Sequence, residues 1–103
     1  MKVLFEQEAL EEYRDAALYS EERFGLGREF VEAVRLAVSS ITMDPVRFQV
    51  IRSGIRIFRM RRFPFHLLYH YSEEMETLTI YAVAHHARRP DYWRTRVKPL
   101  ESP

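Results

Sequence analysis

Residues 65–84 carry the clearest structural pattern of the chain and read FHLLYHYSEEMETLTIYAVA. At both ends of this stretch, aromatic and β-branched residues alternate with polar ones, and an acidic, polar run from Ser72 to Glu76 separates the two ends. Alternation with a period of two in such sequence is typical of strands joined by a short turn. The pattern therefore predicts a β-hairpin with strands at 65–71 and 77–84.

Pairing Ser72 with Thr77 across the turn determines which residues share a face of this hairpin. One face is then almost wholly apolar and consists of Phe65, Leu67, Tyr69, Tyr71, Leu78, Ile80, Ala82 and Ala84. The other face mixes polar and aromatic groups and consists of His66, Leu68, His70, Thr79, Tyr81, Val83 and His85. We expect the first face to pack on the rest of the protein and the second to meet solvent or a partner.

The sequence before the hairpin has helical periodicity in two segments, 8–24 and 28–43. The apolar stripe of the first consists of Ala9, Leu10, Tyr13, Ala16, Ala17 and Phe24, and that of the second of Phe30, Val31, Val34, Ala37, Val38 and Ile41. The first helix starts without a favoured capping residue, since Glu6 and Gln7 precede it. Gly25-Leu26-Gly27 ends it, and so short a connection predicts an antiparallel helix hairpin.

Two further segments, Val3-Leu4-Phe5 and the run from Ile55 to Met60, have the composition of strands. The predicted order is β-α-α-β-β-β, an α+β fold in which the helix hairpin packs on a mainly antiparallel four-stranded sheet. The chain has 103 residues, 47% of them hydrophobic, so we expect one domain spanning residues 1–103.

The composition narrows the classes of function. The absence of cysteine excludes disulfides, thiolate metal sites and cysteine nucleophiles. We find no signal peptide and no membrane span, and we expect a cytoplasmic protein without cofactor. The net charge of +1 conceals an asymmetry, because residues 1–50 carry 10 acidic and 6 basic side chains and residues 51–103 carry 5 and 10.

Five arginines lie between Arg52 and Arg62 with no acidic residue among them. Arginine is suited to bidentate contacts with phosphate or carboxylate groups, which favours a binding surface over a merely solvated strand face. His66, His70 and His85 could approach one another, but no fourth ligand is evident, so we predict no metal site.

Two stretches, Arg61-Arg62-Phe63-Pro64-Phe65 and Ala82-Val83-Ala84-His85 followed by Arg88-Arg89-Pro90-Asp91-Tyr92-Trp93, resemble the RelE/ParE superfamily of toxins from type II toxin-antitoxin pairs, in particular its plasmid-stabilisation members. The resemblance extends from Phe5 to Arg96. It implies a growth-inhibiting toxin that a cognate antitoxin binds and neutralises in a hetero-oligomer. Two targets are implied by its branches, DNA gyrase for the ParE branch and messenger RNA on the ribosome for the RelE branch.

The resemblance to the RNA-cutting branch gives candidate catalytic residues, and whether the protein is an enzyme stays open. Tyr92 matches that branch's tyrosine, while His66 and His86 stand where it has arginines. A neutral imidazole lacks the fixed charge that stabilises a pentacovalent phosphate, although it could act as an acid or base. If the protein is a ribonuclease, the catalytic residues are therefore His66, His86 and Tyr92.

A toxin that works by binding needs only a basic and aromatic surface. For contact with target or antitoxin we predict Arg59, Arg61, Arg62, His85, Arg88 and Arg89. We expect Trp93 to be structural, Tyr92 to be exposed and the acidic face of the first helix to be solvated. A nucleic-acid-binding module without toxicity would need the arginine face alone and is a third class.

Overall fold

The computed structural model describes residues 1–97, and the last six residues of the predicted domain lie outside the described residues. Its elements are β1 (Lys2–Phe5), α1 (Gln7–Phe24), α2 (Gly27–Met43), β2 (Val50–Arg52), β3 (Ile55–Arg59), β4 (Phe65–Ser72), β5 (Thr77–His85) and a 3-10 turn (Arg94–Arg96). The predicted α+β class and the order of the predicted elements are confirmed. Between residues 1 and 97 no helix is long and apolar enough to cross a membrane.

The sheet has five strands in the order β1-β5-β4-β3-β2. β1 pairs parallel with β5, and the other neighbours are antiparallel. The four-stranded prediction missed β2, a three-residue edge strand whose side chains are all exposed and therefore show no alternation. A tight turn joins β2 to β3, with Ser53 and Gly54 at φ angles of 51° and 77°.

The helix hairpin begins and ends on specific backbone contacts. Glu6 caps α1, because its carboxylate accepts hydrogen bonds from the amides of Glu8 at 2.9 Å and Ala9 at 3.1 Å. The expectation that this helix lacks a cap was wrong, since a glutamate just before a helix can fold back as an aspartate does. α1 ends at Gly25, whose φ of 68° is the left-handed conformation that favours glycine.

The main core lies between the helices and the sheet. Phe30 is fully buried at its centre, with ring centroids 5.2 Å from Phe63 and 5.4 Å from Phe65. Phe24 and Val31 were expected in the buried stripes but are 62% and 42% exposed. Phe24 is the last residue of α1 and packs on Tyr19 instead, and Val31 is one position from the centre of its stripe, which turns it about 100° away.

The predicted register of the hairpin is correct only near its turn. The pairs from Ser72 with Thr77 to Tyr69 with Ile80 are present, but a bulge at Tyr81 then opposes Leu68 to Ala82. An extra residue exchanges the two faces of a strand. Beyond the bulge, Val83 therefore joins the main core, and Ala82 and Ala84 lie on the opposite face, contrary to prediction.

The opposite face of the sheet is not the wholly open surface that the alternation suggested. Six buried residues form a second core there: Ile55, Ile57, Leu68, Ala82, Ala84 and Trp93. The segment 86–97, here called the C-terminal arm, covers it. Trp93, 2% exposed, is structural as expected, and its indole N–H donates to the Pro90 carbonyl at 2.8 Å.

Candidate functional site

A groove of about 490 Å³ runs between strands β3 and β4, the end of β5 and the C-terminal arm. We call it the basic groove. Its apolar floor includes Ile57, Leu68, Ala84 and Trp93. Its polar lining consists of Arg52, Arg59, His66, His85, His86, Arg88, Arg89 and Asp91. Four arginines against one carboxylate give the lining of this groove an excess of positive charge, which favours anionic partners.

Two imidazoles stack on the wall of the basic groove. The rings of His66 and His86 lie 5.3 Å apart at an angle of 18°, and Arg59 is the direct cross-strand neighbour of His66. Burial lowers the pKa of His66, and the charges of His86, Arg59 and His85 lower this pKa further. His66 is therefore neutral at pH 7, and it can exchange a proton but supplies no fixed charge.

Tyr92 is half-buried, contrary to the expectation that it is exposed. Its hydroxyl donates to Glu12 Oε2 at 2.8 Å, and the Arg88 guanidinium lies 3.8 Å from its ring centroid. Burial raises the pKa of the Tyr92 phenol, and the hydrogen bond to the Glu12 carboxylate raises it further. The hydroxyl is thus engaged in a hydrogen bond to Glu12, and its raised pKa makes it a weak acid for proton transfer.

Glu12 is the residue of this region that sequence reasoning missed. Its carboxylate accepts from the Val83 amide at 3.0 Å, from the Tyr92 hydroxyl, and from both terminal nitrogens of Arg96 at 2.8 Å. Burial alone would raise its pKa, but the hydrogen bonds from Arg96, Tyr92 and Val83 and the charge of Arg96 outweigh burial and leave this pKa below its ordinary value.

The solvated acidic face predicted for α1 is therefore wrong at Glu12, whose side chain is 16% exposed, and holds for its neighbours Glu11 and Asp15. Glu12 adjoins Tyr13 and precedes buried Ala16 by one turn, so it borders the apolar stripe. This position beside the apolar stripe was the one sign in the sequence that Glu12 could be partly buried. Its partners lie 71 to 84 residues away in sequence, a separation that periodicity cannot bridge.

The arginine run divides between three places. Arg59 lines the basic groove, whereas Arg56 donates to the Val46 and Phe48 carbonyls at 3.0 and 2.7 Å and supports the loop before β2. Arg61 and Arg62 follow the end of β3 and line a separate groove of about 570 Å³ against α2. We call this the helix groove, and its apolar lining includes Leu36, Phe58 and Met60.

The structure thus brings most of the predicted site residues together. The basic groove contains Arg59, His66, His85, His86, Arg88, Arg89 and Tyr92, but not Arg61 and Arg62. His85 also packs its ring on Phe65 at 5.1 Å. Within residues 1–97, no three or more His, Cys, Asp or Glu side chains form a group that could hold a metal ion.

Comparison with known families gives one result. The family model described as the ParE toxin of the type II toxin-antitoxin system, parDE, matches residues 3–90. The matched region runs from β1 into the start of the C-terminal arm and includes Glu12, Arg59 and both stacked histidines. It confirms the resemblance inferred from sequence. A comparison with curated protein sequences found no match to this chain.

Proposed function

Because the chain belongs to the ParE toxin family of type II toxin-antitoxin systems, we propose that it arrests growth by binding DNA gyrase through the basic groove. The family implies a cognate ParD antitoxin as its partner. The protein then inhibits its target by binding and not as a nuclease.

The observation that carries the proposal is an apolar floor ringed by arginines with substantial exposure. The side chains of Arg88 and Arg89 are 53% and 81% exposed, and Arg89 has only a 3.7 Å ion pair with Asp91. Arginine beside aromatic and aliphatic surface is the composition enriched at binding hot spots. Such a surface can bind a large partner without any reacting group.

Ribosome-dependent cleavage of messenger RNA is the second candidate, favoured by the stacked His66 and His86 beside Arg59. Its weakness lies at Tyr92, whose hydroxyl is bound by Glu12 and whose pKa is raised. General acid-base catalysis at neutral pH would then depend on the two imidazoles alone. Inhibition by binding makes no such demand.

Inducible expression with parallel readouts of DNA supercoiling and translation tests the target. We expect growth arrest with altered supercoiling, and inhibition of purified gyrase by the purified protein. The double variant Arg59→Gln/Arg89→Gln should lose both effects. Its matched control, Arg14→Gln/Arg23→Gln, removes the same charge from the exposed surface of α1 and should retain both. Cleavage of ribosome-bound messenger RNA with unaltered supercoiling would overturn the proposal.

We assign the antitoxin contact to the helix groove, where Arg61 and Arg62 border Leu36, Phe58 and Met60. An acidic, amphipathic segment of the antitoxin would satisfy both the apolar floor and the two exposed cations. Arg61→Glu/Arg62→Glu should therefore weaken a co-purified complex more than Arg59→Gln/Arg89→Gln does, and salt should weaken the wild-type complex. Equal weakening by the two double variants would place the antitoxin elsewhere.

A further inference from the structure

We propose that Glu12 is a positioning residue for growth inhibition, because its carboxylate holds the C-terminal arm where Arg88 and Arg89 reach the rim of the basic groove. Glu12 lies on α1 and touches no part of the groove floor. Its effect passes through Tyr92 and Arg96. The inference rests on the proposed role of the basic groove, and it does not depend on which target the groove binds.

The carboxylate joins three elements that are distant in sequence. Oε1 accepts from the Val83 amide of β5 and from Arg96 Nη1, and Oε2 accepts from the Tyr92 hydroxyl and from Arg96 Nη2. β1 ends at Phe5, which pairs with Ile80, so the Val83 amide lies beyond the last partner on that edge of β5. The Glu12 carboxylate therefore accepts the hydrogen bond that a neighbouring strand would otherwise accept from the Val83 amide.

All four groups that Glu12 contacts are donors. A carboxylate can accept from all of them, whereas an amide has one acceptor oxygen and an NH₂ group that would face further donors. Glu12→Gln is nearly the same size and is therefore a sharp test. It should break the contacts to one side of the carboxylate without opening a cavity.

The path from Glu12 to the groove is short. Arg88 lies over the Tyr92 ring at 3.8 Å, and its Nη1 is 4.0 Å from Glu12 Oε2. Arg96, whose side chain is only 8% exposed, lies 4.9 Å from the same ring centroid. Without the carboxylate, two guanidiniums would share one partly buried site, and their repulsion would favour detachment of the arm.

The arm can respond without loss of the main core. Its apolar contacts with the sheet come from Trp93, Tyr92 and Val97, whereas Phe30, Tyr69 and Ile80 belong to the core beneath the helices. Four amides of the arm donate hydrogen bonds to carbonyls within it: those of Tyr92, Arg94, Arg96 and Val97. Their hydrogen exchange reports local opening separately from global unfolding.

The test compares Glu12→Gln with Glu11→Gln, which removes the same charge from the neighbouring exposed position. We expect Glu12→Gln to accelerate exchange of the four arm amides while the amides of α2 and β4 stay protected. Growth inhibition should weaken by about tenfold or more, the loss that follows displacement of a binding hot spot. Glu11→Gln should match the wild type, and antitoxin binding should stay within about threefold, since the helix groove is untouched.

Tyr92→Phe is the second variant, because it removes one hydroxyl and keeps the ring under Arg88. It should weaken inhibition in the same direction, and the double variant Glu12→Gln/Tyr92→Phe should be less impaired than the two single effects combined. Faster arm exchange with full growth inhibition would overturn the inference. Lost inhibition with unchanged arm exchange would overturn it as well. Failure of Arg59→Gln/Arg89→Gln to reduce inhibition would instead remove the groove proposal.

Discussion

The two faces of the sheet are covered in physically different ways. Two helices of 18 and 17 residues bury one face with aromatic and aliphatic side chains that include Phe30, Tyr69 and Ile80. The 12-residue arm covers the other with one buried aromatic, Trp93, and with the charged contacts of Glu12. The stabilisation that comes from hydrophobic burial varies little with pH, whereas the stabilisation that comes from ionised groups such as the Glu12 carboxylate varies with their protonation.

Because the two faces are covered differently, the residues that stabilise the fold and the residues that we assign to activity lie on opposite faces of the sheet. We expect the helix-covered face, which holds the larger buried cluster, to contribute most of the stability, and the arm-covered face presents the groove that we assign to the target. An attachment made of a few polar contacts can open locally at a fraction of the cost of global unfolding. Substitutions on the two faces should therefore differ in kind as well as in magnitude.

The largest effect is expected at the helix-covered face. Ile80→Ala should lower the free energy of unfolding by about 2–5 kcal/mol, because Ile80 is fully buried and its neighbours cannot close the cavity. Chemical denaturation measures this loss. Thr79→Ala, one residue away on the other face and only half-buried, is the control and should cost much less. Equal losses would contradict the register near the turn.

That register was predictable from residues 65–84, and the reason for its failure further along is specific. Alternation gives the correct faces as far as Tyr69 and Ile80, but it carries no information on where an extra residue is inserted. The bulge at Tyr81 then places Val83 with the helices and Ala84 with Trp93. Small apolar residues suit either face, so the sequence contained no contrary signal.

The candidate site shows the same division. Arg59, Arg88 and Arg89 were recognised from composition and resemblance, which report residue types along the chain. The separation of Arg61 from Arg59 depends on where β3 ends. The contacts of the Glu12 carboxylate join residues that are more than 70 positions apart in the sequence. Local patterns predict elements and their exposed chemistry, but long-range pairing requires the folded chain.

The second prediction concerns the arm's apolar anchor. Trp93→Ala should lower the free energy of unfolding by about 3 kcal/mol, the lower end of the range for truncating a buried large aromatic to alanine. The loss is at the lower end because the arm can detach while the main core stays packed. Thermal melts measure the global loss, and hydrogen exchange should place the largest change in residues 86–97. Exchange that rises equally in α2 would mean that the two faces unfold together.

The third prediction concerns how the stabilisation by the Glu12 carboxylate depends on pH. The pKa of Glu12 in the folded protein lies below its ordinary value of 4.5, so its stabilising contribution is complete above pH 4.5 and is lost as the pH falls through the folded pKa. Glu12→Gln should cost about 1–3 kcal/mol at pH 7, because it leaves some of the donors around the carboxylate without an acceptor. Glu8 lies 3.7 Å from Arg96 and compensates in part.

Melting temperatures of the wild type and Glu12→Gln, measured from pH 7 to pH 3, check this sign. The gap between them should narrow only below about pH 4.5. Glu11→Gln gives the baseline for loss of one exposed carboxylate. A gap that stays constant down to pH 3 would contradict an ionised Glu12 as the source of the stabilisation.

The smallest effect is expected inside the basic groove, at His66. Its pKa lies below the ordinary value of 6.5, first because of burial and then because of His86, Arg59 and His85. The neutral imidazole therefore predominates at pH 7, and the folded protein loses stability as the pH falls from 6.5 through the lowered pKa of His66. Arg59→Gln removes one of these charges and leaves burial in place. It should raise the pKa of His66 part of the way towards 6.5.

NMR titration of the imidazole protons measures this shift, and His70 is an internal reference in the same spectra. Burial alone lowers the pKa of His70, so Arg59→Gln should leave it unchanged. Arg61→Gln, whose side chain lines the helix groove, should change neither histidine. If Arg59→Gln and Arg61→Gln shift His66 equally, the positive field is spread over the protein surface and is not concentrated in the basic groove. A shift confined to Arg59→Gln would instead place the anion-attracting potential at the face covered by the arm, where we expect the target to bind.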